Sequence, residues 1–139
     1  LDIYIDENQN IDYIFMVAAV SDYIVKNPSE HKIKRNQDQL NIQFEKAPDL
    51  IKNISSKTNA TMIGFALETE NGEYHAKLKM KNKNLDYIVL NYANEDNAGF
   101  ESNTNHVVIF SKSGNKKEFS LDRKDRISTK LINYIISNK

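Results

Sequence analysis

The sequence has no cysteine and no tryptophan, and only four glycines and two prolines among 139 residues. Without cysteine there is no disulfide, no thiolate nucleophile and no Cys-based zinc site. Gly64, Gly72, Gly99 and Gly114 are too scattered to form a G-x-G-x-x-G turn or a Walker A loop. Both usual phosphate cradles are thereby excluded. His31, His75 and His106 lie far apart, without HExxH spacing, and each reads as a surface or edge residue. The serines include no G-x-S-x-G elbow, so a nucleophilic serine mechanism has no support. Lysine plus arginine, at 19, balances aspartate plus glutamate, at 19, giving zero formal charge. Nucleic-acid binders are usually basic overall, so no nucleic-acid partner is expected. No apolar run is long enough to span a bilayer and no signal peptide is visible, so a cytoplasmic location without a membrane partner is expected.

What is present is ordinary globular material, 40% hydrophobic and 27% charged, enough for one domain over residues 1–139. Residues 1–10 are ambiguous between a strand and the last turns of a helix. The apolar run from Ile14 to Val20 reads as a strand buried on both faces. It stops at Ser21-Asp22-Tyr23 and leads through Asn27-Pro28 into the basic stretch Lys32 to Arg35. Leu40, Ile42 and Phe44 alternate as a half-buried strand, and Lys32 to Arg35 is its expected ribbon partner. Pro48 and Asp49 signal a helix start, with Leu50, Ile51 and Ile54 inward. Thr61 to Leu67 and Leu85 to Leu90 read as further buried strands. Between them Glu73 to Lys83 is rich in helix formers, with Tyr74 and Leu78 on one face and Lys79 and Lys83 on another. His106 to Phe110 and Lys117 to Leu121 form a hairpin around Ser113-Gly114-Asn115. Asp125 to Ile136 closes the chain as an amphipathic helix on Ile127, Leu131, Tyr134 and Ile135. Alternating strands and helices predict an α/β, Rossmann-like three-layer sandwich. Its sheet is mainly parallel, with a C-terminal antiparallel hairpin.

The chemistry left by this inventory is polar and charged groups at strand ends. Asp22 follows the first strand, Glu68 the second and Asn91 the third. In open α/β sheets ligands bind beyond the carboxyl ends of the strands. Lys79 and Lys83 are placed to arrive from the intervening helix, and lysine suits phosphate as a mobile point charge. The residues thus suggest a nucleotide or phosphate-ester site without a glycine loop. Taken singly, each lysine also reads as a solvated surface group, Phe65 as core, and Asp22 as an Asx turn.

Five segments together resemble a known family. They are Ala18-Ala19-Val20-Ser21-Asp22-Tyr23, Lys32-Ile33-Lys34, Lys46-Ala47-Pro48-Asp49-Leu50-Ile51, Gly64-Phe65-Ala66-Leu67-Glu68-Thr69 and Lys83-Asn84-Leu85-Asp86. In this order the set resembles phosphopantothenoylcysteine synthetase, the ligase half of the bifunctional coenzyme A biosynthesis flavoprotein. Ser21, Arg35, the order Leu50-Ile51 and Leu67 are mild departures from the family pattern. The resemblance implies ligation of cysteine to 4′-phosphopantothenate through an acyl-cytidylate, with CTP as co-substrate and Mg²⁺. Asp22, Lys32, Pro48, Asp49, Leu50, Ile51, Phe65, Lys79 and Lys83 fall on its CTP-binding positions. Lys32 falls on the lysine tied to acyl-cytidylate formation. Ala18 and Ala19 fall on the backbone segment near the reacting centre. A homodimer is implied, as is a flavin decarboxylase domain fused to or partnered with the ligase. The family's Gly-rich first strand-turn and its S-N-x-S-S-G segment have no counterpart here. The chain therefore reads as the C-terminal part of the ligase domain, expected to be inactive or nearly so alone. The alternative is a non-catalytic α/β module that binds a nucleotide or phosphometabolite.

Overall fold

The computed structural model describes residues 10–35, 39–92 and 102–138. They fall into two units, Leu1–Val17 with Ile51–Lys139 as the first and Ala18–Leu50 as the second.

The first unit holds a five-stranded sheet of order β1-β4-β5-β6-β7, with β1 Tyr13–Met16, β4 Thr61–Glu68, β5 Tyr87–Tyr92, β6 Thr104–Ser111 and β7 Lys116–Arg123. β1, β4 and β5 are mutually parallel, and β6 and β7 complete the sheet antiparallel. Period-two alternation sends the strand side chains to two cores. Met62, Ala66, Ile88, Leu90, Val108 and Phe110 meet Ile51 and Ile54 of α1 (Leu50–Ser55) and Ala76 of α2 (Gly72–Asn82). Ile63, Val89, Val107 and Ile109 meet Ile127, Leu131 and Ile135 of α3 (Lys124–Ser137) on the other face. This is the three-layer α/β sandwich expected. Register is pinned at the amino end of the parallel strands. Met62 N–H donates to Asp86 Oδ2 at 2.8 Å, Asp86 N–H to Met62 O at 3.0 Å, and Lys112 N–H to Asp86 O at 2.7 Å. At Gly64 the packing is close, and a Cβ there would overlap Leu85 Cδ1, so the Leu85 side chain would have to shift to admit one.

The second unit holds an antiparallel ribbon, β2 (Tyr23–Val25) with β3 (Phe44–Lys46). It is closed at its base by Ala47 N–H to Asp22 O at 2.9 Å and extended by Lys26 N–H to Gln43 O at 3.0 Å.

Four expectations need correction. The first strand ends at Met16 and is only half-buried, while Val17 and Val20 are exposed. Among the described residues it lies at the end of the sheet order with one parallel neighbour, and its side chains pack at the margins of the two cores, Ile14 and Met16 on one face and Tyr13 and Phe15 on the other. The ribbon partner of Phe44–Lys46 is Tyr23–Val25, not Lys32 to Arg35, and Leu40 and Ile42 lie outside the strand and are exposed. α1 starts at Leu50, so Pro48 and Asp49 precede it. α2 turns Tyr74 and Leu78 outward and buries Gly72 and Ala76, with Met80 packed beside them. Two i,i+4 stripes competed, and the one with small residues won because it lets helix and sheet approach closely. The ambiguous reading of residues 1–10 falls almost wholly outside the described residues.

Candidate functional site

At the carboxyl end of the parallel strands, β4 and β5 finish side by side, with Leu67 opposite Asn91 and Glu68 opposite Tyr92. The expected meeting of the second and third strand ends is therefore present. β1 pairs with β4 only as far as Met16↔Gly64. Beyond that point Lys79 Nζ donates to the Phe65 carbonyl at 2.8 Å. Lys79 reaches it from the α2 side of the sheet, whereas the Phe65 ring packs half-buried against the α3-side core. The two expected site residues thus share a backbone contact and not a side-chain face. Lys83 follows the last residue of α2, its N–H bonded to Lys79 O at 3.0 Å. It sits just before the Asn84–Asp86 turn into β5, at the amino end of the strands, away from Glu68 and Asn91. Ile51 is 8% exposed and belongs to the core, so only its backbone remains for a ligand.

Ala18, Ala19, Asp22, Lys32, Pro48, Asp49 and Leu50 belong to the second unit and are exposed. Lys32 lies in the connection between the two arms of the ribbon, one residue after a turn in which Ser29 Oγ donates to His31 O at 2.8 Å. Asp22 uses its carbonyl at the base of the ribbon, which leaves its carboxylate exposed.

A second group of polar residues at the same sheet edge escaped the sequence reading. Asn105 Nδ2 donates to Asn91 Oδ1 at 2.9 Å, and His106 N–H to Asn105 Oδ1 at 3.0 Å. The His106 ring stacks on Tyr92, and its Nε2 lies 3.0 Å from Glu118 Oε1. Alongside, Lys116 binds Glu73, and the Lys116 and Lys77 ammonium groups lie over the Phe110 ring. Lys116 holds the Glu73 carboxyl below the ordinary glutamate range, and Glu73 in return raises the Lys116 ammonium. No linear motif signals this group. Hairpin pairing brings Glu118 to His106, and the strand ends bring Tyr92 and Asn91. At the β7–α3 junction a cleft of about 450 Å³ is lined by Asn103, Arg123, Lys124 and Asp125, none of them an expected site residue.

Among the described residues, no three His, Asp or Glu side chains come together as a metal site, and no helix is long and apolar enough to cross a membrane. The described residues therefore do not fit a protein-built Mg²⁺ cage.

Residues 2–138 match the family described as DNA/pantothenate metabolism flavoprotein, C-terminal domain. The chain belongs to this family. It is 34% identical over 125 residues to the coenzyme A biosynthesis bifunctional protein CoaBC of Bacillus subtilis (strain 168), covering 89% of this chain and 31% of that protein. It is 40% identical over 123 residues to CoaBC of Haemophilus influenzae, covering 86% and 30%. Among solved structures it is similar to the C-terminal domain of a CoaBC, with TM-score 0.72 and 28% identity over 96% of this chain and 58% of that one. A Cab2 mutant in complex with phosphopantothenate-cysteine shares the fold, with TM-score 0.57 and 22% identity over 78% of this chain and 37% of that one. The chain thus spans about a third of the length of its curated relatives.

Proposed function

We propose that this chain is part of a phosphopantothenate–cysteine ligase. It acts in coenzyme A biosynthesis, joining L-cysteine to 4′-phosphopantothenate through an acyl-cytidylate made from CTP. The observation that carries this reading is the family match across residues 2–138, which takes in all five segments of the resemblance. In the first step a substrate carboxylate attacks the α-phosphorus of CTP and pyrophosphate leaves. Negative charge grows on the phosphoryl oxygens, and Lys32 neutralises it in the transition state. Lys79 serves as a mobile cation for the triphosphate, and Lys83, at the amino end of the strands, keeps a CTP-contact role only as the resemblance implies it. Asp22 and the backbone of residues 48–51 and Phe65 hold the nucleoside, and Ala18 and Ala19 line the reacting centre. Mg²⁺ would be held chiefly by the nucleotide phosphates, whose charge it would help to neutralise. The acting protein is a homodimer, and a flavin decarboxylase domain is its expected fused or separate partner.

The test is pyrophosphate release by the full-length protein with phosphopantothenate, comparing CTP with ATP, with and without Mg²⁺. The expected result is a CTP preference of about tenfold or more, with CMP released only when cysteine is added. Equal, non-productive binding of both nucleotides would favour the non-catalytic module instead. Lys32→Gln in the full-length protein should slow pyrophosphate release by about 10²-fold, the scale of one lost electrostatic contact to a developing oxyanion. An unchanged rate would remove Lys32 from this role.

A further inference from the structure

The sequence contains a single Asn-Gly pair, Asn71-Gly72, and no Asp-Gly pair. The pair joins β4 to α2, and the fold favours both residues. Asn71 takes φ 50° and ψ 34° at the helix N-cap, a left-handed conformation that asparagine adopts more readily than most side chains. Gly72 opens α2 in a buried position against β5. A Cβ there would come within 2.9 Å of Tyr92 Cε1 and 3.2 Å of Leu90 Cδ1 and Cδ2. The Asn71 side chain is exposed and makes no capping hydrogen bond. Gly72, as the first helical residue, has no intrahelical acceptor for its N–H. Asn84 is the contrast within the same chain. It shares the φ of 50° and is exposed, yet its Oδ1 accepts from Lys112 Nζ at 3.0 Å. Leucine follows it, and the Leu85 N–H donates to Met80 O at 3.0 Å.

We infer that Asn71 is a site of spontaneous covalent modification, at which the Gly72 nitrogen converts the asparagine to aspartate and isoaspartate. Hydroxide removes the Gly72 amide proton, and the nitrogen attacks Asn71 Cγ. The N–Cγ bond forms and the Cγ–Nδ2 bond breaks. Ammonia leaves with that electron pair and a proton from water. One water molecule then opens the five-membered imide. Cleavage at Cγ leaves aspartate at position 71, whereas cleavage at the backbone carbonyl leaves isoaspartate, with one more methylene in the main chain. Glycine suits the attacking position because it has no side chain to hinder ring closure. At ψ 34° the Gly72 nitrogen is turned away from Cγ, so closure requires the first turn of α2 to open. That turn is held by His75 N–H to Asn71 O at 3.1 Å and by Glu73, which pairs with Lys77 and with Lys116 of β7. Helix ends open at low free energy compared with a core. Isoaspartate lengthens the main chain where Gly72 fits closely against Tyr92 and Leu90. It therefore displaces the start of α2, the helix that carries Lys79 to the Phe65 carbonyl.

The test is ageing of the full-length protein at mildly alkaline pH, followed by digestion and peptide mass spectrometry. The expected result is the mass gain of an amide becoming an acid in the peptide that holds Asn71, and none at Asn84. Labelling by an isoaspartate methyltransferase should fall on the same peptide. Lys116→Gln, which releases Glu73, should speed the conversion by about 1.5- to 5-fold, the scale of one lost exposed ion pair. Asn71→Gly, which accepts the left-handed backbone, should abolish the methyltransferase labelling and keep the thermal midpoint that aged wild type loses. The inference is overturned if the native protein stays unmodified while the same protein in urea converts at Asn71. Conversion at Asn84 at a similar rate, or a rate at Asn71 unchanged by Lys116→Gln, would also overturn it. The wild-type and Lys116→Gln arms decide the question whether or not Asn71→Gly folds.

Discussion

The runs Ile14 to Val20 and Thr61 to Leu67 are similarly apolar on paper, yet they end in opposite environments. In the first unit Met62, Ile63 and Ala66 are at most 2% exposed, between parallel neighbours and helix layers. Beyond Met16 the first run leaves the sheet, and Val17 and Val20 are 64% and 52% exposed. The second unit continues this exposure, with Tyr23, Ile24, Val25 and Phe44 all more than a third accessible. A strand is buried by its neighbours and not by its own composition. The first unit is built as a core, whereas the second displays side chains.

The largest test of this contrast is truncation. Ile88→Ala, at a fully buried position, should cost about 2–5 kcal/mol in denaturant unfolding. Ile24→Ala in the ribbon should stay within about 0.5 kcal/mol, as expected for an exposed position. Equal costs would mean that the ribbon has a core of its own. Next, Gly64→Ala should destabilise by about 1–3 kcal/mol, because its methyl meets Leu85 in a filled space. A neutral or stabilising result would mean that Leu85 repacks freely. The smallest effect concerns pH. The folded-state pKa of Glu73 is depressed by Lys116, so its stabilisation is complete above the unfolded-state value and is lost as pH falls through the folded one. The Lys116 pKa is raised, so its contribution is complete below the unfolded value and is lost as pH rises through the folded one. Lys116→Gln should therefore flatten both the acid and alkaline limbs of thermal stability slightly, with most of its effect near neutral pH. A steeper acid limb in the variant would contradict this pairing.

Much of the fold was legible because its signals are local. The α3 face of Ile127, Leu131 and Ile135 follows from 3.6-residue periodicity alone. The β6–β7 hairpin follows from alternation around Gly114, whose φ of 94° is one that glycine adopts readily. The choice between the Tyr74/Leu78 and Gly72/Ala76 stripes of α2 was not legible, because it depends on how near the sheet lies. The same holds for the ribbon, where Tyr23–Val25 rather than Lys32 to Arg35 provides the partner for Phe44–Lys46. Of the candidate site, the motifs at Ala18 to Tyr23, Lys32 to Lys34 and Lys46 to Ile51 were visible as words in the chain. The His106 group was not, because its members lie on three strands.

The sequence by itself determined the α/β class, the order of elements and membership of the pantothenate-metabolism family, since each rests on short-range pattern or on words read in order. Only the tertiary structure decided which apolar residues became core. It also decided that Lys79 lies on the Phe65 carbonyl and that Glu118 backs His106. Those outcomes depend on strand neighbours distant in sequence, and no local signal encodes which strands will meet.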